Sequence, residues 1–174
     1  MRRALREGFA RLWRPIALAC VLLLVAGSCR RVEQTVYSSF QRAGKNGWDP
    51  EEPLVFMPWP ADSAETLSRT YRLTLHVRYK SENPIPPLPI SILIEDDEGN
   101  SHTDTVTVAL FDNAGHPLGT GKWGIYMAGD TLMRSLRLQP GFLVTLSPLL
   151  PKQSTRGILD VGLSLEEEQA AKHR

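Results

Sequence analysis

The chain has 174 residues, with 20 basic and 19 acidic side chains and a formal net charge of +1. That length suits one ordinary domain, and so even a balance lacks the clustered positive charge that nucleic-acid binding needs. The charge is uneven along the chain: residues 1–28 hold five arginines and one glutamate, so the remaining 146 residues carry 15 basic and 18 acidic groups, a net of −3.

The first segment places Arg2, Arg3, Arg6, Arg11 and Arg14 before an apolar run, Ile16 to Ala26, closed by Gly27, Ser28 and Cys29. A basic stretch, a short apolar stretch and small residues form the layout of a secretory signal peptide. The run falls short of the roughly 20 apolar residues that a membrane-spanning helix needs. Cys29 directly after the small residues is the expected lipid-bearing position, which makes residues 1–28 a lipoprotein signal peptide. Ala26 stands where a larger aliphatic residue is usual. The competing reading is a plain signal cleaved near Ser28, leaving a free thiol. Cys20, inside the apolar run, is set aside. Cleavage before Cys29 leaves one cysteine, so no internal disulfide can form and the core alone must hold the fold.

Beyond Cys29 the chain reads as strands. Those expected, in order, cover residues 35–40, 54–58, 69–80, 89–94, 104–111, 123–127, 131–138, 142–147 and 158–165. The clearest is the third. Tyr71, Leu73, Leu75, Val77 and Tyr79 alternate with Arg72, Thr74, His76, Arg78 and Lys80, and alternate side chains leave a strand on opposite faces. Residues 95–100, Glu-Asp-Asp-Glu-Gly-Asn, read as a hairpin turn. Residues 112–115 and 128–130 read as strand ends. Four prolines between Asn83 and Pro89 lack donor N–H groups, so this stretch is expected to be an extended crossover. A short frayed helix is expected over 165–174. About nine short strands predict an all-β fold, a single antiparallel β-sandwich. The expected organisation is signal peptide 1–28, lipidated tether 29–34, sandwich 35–166 and charged tail 167–174.

The residues show no catalytic constellation. There is no Gly-x-Ser-x-Gly elbow and no phosphate-binding Gly-x-x-x-x-Gly-Lys loop. His76, His102, His116 and His173 form no close-spaced pair, so no metal site and no cofactor are expected. The acidic run at 95–98 fails the calcium-loop pattern: with Gly99 as the turn glycine, the first and last ligand positions would be Ile94 and Thr105. Trp48, Trp59 and Trp123 offer three readings: packing, a partner surface or a sugar-stacking platform. Trp59, between Pro58 and Pro60, favours the surface. Arg72, His76, Arg78 and Lys80 form a basic stripe that is either a solvated sheet face, neutralised by cross-strand acids, or a partner patch.

A set of short markers lies between about Val36 and Glu166. They are Val36-Tyr37, Gly47-Trp48-Asp49, residues 53–56, residues 73–78 and Asn83-Pro84. Asp104-Thr105, residues 112–115, residues 118–121 and residues 158–163 complete the set. Their order resembles the gliding-motility lipoproteins of the GldH type, found in Bacteroidetes-like bacteria. The resemblance implies a non-enzymatic, membrane-anchored component of gliding motility or the associated protein secretion machinery. Its implied partners are the membrane, through the lipid on Cys29, and other envelope proteins. No nucleic acid and no small-molecule substrate are expected. Arg30 and Arg31, unlike the acidic surface-export signals of such bacteria, point to a body facing the periplasm, anchored in the outer membrane. The alternative is a carbohydrate- or polymer-binding envelope lipoprotein.

Overall fold

The structure is a computed structural model and describes residues 35–58, 69–138 and 141–168. Cys29, Trp59 and His173 lie outside the described residues, as does the expected tail from residue 169.

The described residues form nine strands in chain order: β1 Thr35–Arg42, β2 Leu54–Phe56, β3 Thr70–Lys80, β4 Leu88–Glu95, β5 Ser101–Val108, β6 Thr120–Lys122, β7 Ile125–Leu136, β8 Leu143–Pro148 and β9 Ile158–Glu168. They make two antiparallel sheets. One is five-stranded in the order β1-β9-β3-β7-β6, and the other four-stranded in the order β2-β8-β4-β5. A 3-10 turn, Lys152–Thr155, precedes β9.

The alternation in β3 determines what the sheets bury. Leu73, Leu75, Val77 and Tyr79 are fully buried and meet Val161, Leu163 and Leu165 of β9 in the core. The four-stranded sheet contributes Leu88, Ile90 and Ile92 of β4 and Val144 and Leu146 of β8. Two faces of opposed apolar side chains are the ordinary core of a sandwich. The proline segment joins β3 to β4 as the expected crossover, passing from one sheet to the other, and Ile85 is buried along the way.

Three local expectations need correction. Residues 123–127 and 131–138 are not separate strands: β7 runs unbroken through Ala128, Gly129 and Asp130. A side chain at Gly129 would approach the Leu75 carbonyl oxygen to 2.5 Å, so this glycine serves close strand approach rather than a turn. The real turn comes earlier. Lys122 pairs with Ile125 around Trp123 and Gly124, which adds β6 as an unexpected edge strand. Second, β5 lies at Ser101–Val108 instead of 104–111, because the tight hairpin pairs Glu95 with Ser101. Third, no helix starts at Leu165. The strand continues to Glu168, where Glu166, Glu167 and Glu168 pair with Arg72, Tyr71 and Thr70.

Candidate functional site

The outer face of the five-stranded sheet carries the chemistry. Register puts the expected basic stripe of β3 directly beside β9. Arg72 faces Glu166, His76 faces Gly162 and Arg78 faces Asp160. The Arg72 Nε lies 3.5 Å from the Glu166 carboxylate. Arg78 donates to the Asp160 Oδ2 from Nε at 3.1 Å, and from Nη2 as well. Arg69, just before β3, holds Glu167 at 2.6 Å on the other side of the sheet, where Glu167 is in register with the buried Tyr71. The stripe is therefore a cross-strand ion-pair ladder. Acids on β9 neutralise its two arginines, as opposite charges directly across strands favour.

His76 sits at the centre. Its Nε2 lies 2.7 Å from the Ser164 hydroxyl, and its ring tilts against Phe40 of β1 at 5.9 Å. Both rings can lie close to the sheet because the row contains glycines: a Cβ at Gly162 would come within 2.5 Å of the Phe40 ring. Burial holds the His76 imidazole below its ordinary 6.5, opposed by the negative charge of Glu166. The Ser164–His76 pair is not a catalytic dyad in form. Ser164 is buried mid-strand, and the other ring nitrogen of His76 has no hydrogen bond among the described residues, whereas catalytic pairs need an open serine and an orienting group.

At the Lys80 end of this face a groove of about 680 Å³ opens, lined by Arg42, Lys45, Arg78 and Lys80 together with Glu82 and Asp160. Asp160 Oδ1 is buried there without a hydrogen-bond partner. Cations outnumber acids along the groove.

The other sequence candidates fall elsewhere. Trp48 is buried, with its backbone N–H donating to the Thr155 hydroxyl at 2.8 Å. Trp123 is 97% exposed at the β6–β7 turn. The two described tryptophans thus share no platform. The acidic run at 95–98 is a hairpin tip organised by Asp96, whose Oδ1 accepts the N–H of Glu98 at 3.0 Å and of Asn100 at 2.9 Å. His116 closes a second turn onto Asp112 at 3.1 Å, and His102 is exposed on β5. Among the described residues no group of three or more His, Cys, Asp or Glu could hold a metal.

Sequence reasoning did not single out Phe40, Asp160, Ser164 or the Ile125–Met127 edge. The signal for Asp160 and Ser164 was present: they break the apolar run of β9 at even spacing, flanking Gly162. That pattern marks the outer face of a central strand that another layer of side chains covers.

These features define an all-β sandwich with cross-strand ion pairs and a cationic groove on the outer face of its five-stranded sheet. Residues 35–165 match the GldH lipoprotein family, and the chain belongs to it. No characterised protein and no solved structure matches the chain. The family relates the protein to gliding motility and to anchoring in the cell envelope. Among the described residues no helix is long and apolar enough to cross a membrane.

Proposed function

We propose that this protein is a lipid-anchored envelope component that supports gliding motility or the associated secretion machinery through protein contacts, without chemistry of its own. The observation that carries the reading is the family match over 35–165, preceded at Cys29 by a basic, apolar and small-residue segment. In this reading Cys29 is acylated and residues 1–28 are removed. More than one acyl chain gives a durable anchor, where a single chain would hold only marginally. The sandwich then faces the periplasm, held at the outer membrane.

The test is the secreted proteome of a deletion strain beside its parent. A joint fall of many secreted proteins, with accumulation inside cells, supports the reading. An unchanged profile removes it. The anchor has its own check: Cys29→Ser should abolish palmitate labelling and move the protein out of the membrane fraction.

The second reading, carbohydrate or polymer binding, draws on the exposed Trp123 ring. A single aromatic offers one stacking plane, and the neighbouring cations suit a charged partner better than a neutral sugar. Glycan binding by the mature protein that vanishes with Trp123→Ala would favour it.

A further inference from the structure

Trp123 stands where its backbone opposes it. Trp123 and Gly124 form a two-residue turn with φ of 52° and 80°. Turns with positive φ at both central residues select Asn-Gly and similar pairs, because a bulky side chain meets the backbone in the left-handed region. The turn is held in place by the Ser81 N–H, which donates to the Gly124 carbonyl at 2.9 Å. Nothing in the core recompenses the strain, since the ring is 97% exposed. A strained position with no packing return is a reason to look for a role outside the fold.

The surroundings fit such a role. On the same face Ile125 is 43% and Met127 36% exposed, each beside a β3 cation: Ile125 opposite Lys80, and Met127 opposite Arg78. Lys122 faces Ile125 from the other side. The groove continues this surface with Arg42 and Lys45. An exposed Trp beside Met and Ile, with Arg close by, has the residue types that interface hot spots favour, and the lysines around it suit the polar, charged rim.

Position decides between a membrane and a protein as occupant, on the reading that Cys29 is the anchor. β1 begins at Thr35, six residues after Cys29, a covalent reach of at most about 22 Å. Thr35 pairs with Glu166, which pairs with Arg72 at the start of β3. The Trp123 turn adjoins Lys80, at the other end of β3, which places it about 27 Å further along the sheet. β1 starts at one end of the sheet, and the apolar–cationic surface occupies the opposite one.

We propose that this end of the outer sheet face is a docking surface for a second envelope protein, one that presents an apolar recess rimmed by carboxylates and takes Trp123 as its inserted anchor. The test places a photo-crosslinking amino acid at position 125 of the full-length protein in the source bacterium. The expected result is a discrete protein adduct. Trp123→Asn should cut its yield at least tenfold, in keeping with the loss of a hot-spot side chain. The same variant should melt at or above the wild-type temperature, because Asn suits the turn. Lys80→Glu with Lys122→Glu should weaken the adduct, and raised salt should do the same. Adducts to lipid or glycan alone, no adduct, or a protein adduct indifferent to Trp123→Asn would each overturn the proposal. The deletion phenotype separates the two readings. A secretion defect on deletion that Trp123→Asn does not reproduce leaves the function and removes the docking surface. A Trp123-dependent adduct in cells whose deletion has no phenotype does the reverse.

Discussion

At the scale of single residues, the most constrained locus is the loop that seats Trp48. Gly47 has φ of 113°, and a Cβ there would lie 2.3 Å from the Lys152 carbonyl oxygen. Only glycine satisfies both constraints. The buried Thr155 hydroxyl accepts from the Trp48 N–H at 2.8 Å and can donate to the Trp48 or Lys152 carbonyl. Lys152 Nζ holds Asp49 at 2.9 Å. The Gly47-Trp48-Asp49 marker is thus a clamp on the turn before β9, a structural rather than chemical device. Thr155→Val should destabilise the protein by about 1–3 kcal/mol, because the buried Trp48 N–H loses its acceptor. Urea denaturation of wild type and variant measures this.

His76 supplies a pH dependence at the same scale. Its folded-state pKa lies below the ordinary 6.5, because burial disfavours the imidazolium. The unfolded chain therefore takes up the proton first. Stability is whole above pH 6.5 and declines as the pH falls from there toward the folded-state value. His76→Gln should flatten the urea midpoint between pH 7 and pH 5.5. Asp49, Asp96 and Asp112 are all held below their ordinary 3.8, chiefly by hydrogen bonds from Lys152, Asn100 and His116 respectively. What they contribute is present above that value and is lost only at lower pH, so the two losses separate along an acid titration.

At the scale of elements, β9 and β3 behave as one unit. β9 is an inner strand between β1 and β3, and its outward residues are covered by Phe40, His76 and Arg78. Arg78→Leu should cost about 1–3 kcal/mol, since it leaves the buried Asp160 carboxylate without its cation. Gly162→Ala should destabilise by displacing the Phe40 ring. Phe40→Ala in the same chain should recover part of the loss, with a coupling of roughly 0.5–3 kcal/mol between neighbouring sites. A double-mutant cycle by thermal or urea melting reads it. The β3 alternation and the proline crossover were legible because period and missing donors are local properties. The β6–β7 turn was not: Trp-Gly is a poor match to the residues such turns favour, and Gly129 looked like a better place to stop. Its true role depends on how closely Leu75 approaches from the next strand, which no local window contains.

At the scale of the whole molecule, stability rests on the two inner faces. Leu75→Ala should cost about 2–5 kcal/mol, as a large-to-small change at a fully buried site does, with a lowered denaturation midpoint as the check. The alkaline limit is set elsewhere. Tyr79, buried beneath the loop at 110–118, donates to the Leu110 or Leu118 carbonyl, and burial raises its pKa above 10.0. Its contribution is present below that value and is lost as the pH rises through the folded-state one. Lys152, raised above 10.5 by Asp49, acts in the same direction.

By itself the chain determined the all-β class, the buried face of β3, the extended crossover that follows it and the family, because all of these follow from periodicity, proline placement and the order of short markers. The tertiary structure decided which acids meet the basic stripe, that His76 lies between Phe40 and Ser164, that Trp48 is core while Trp123 is bare, and that Trp123 shares an end of the sheet with a cationic groove. Each of those is a pairing between residues far apart in sequence. Register, set only when the strands assemble, is what brings them into contact.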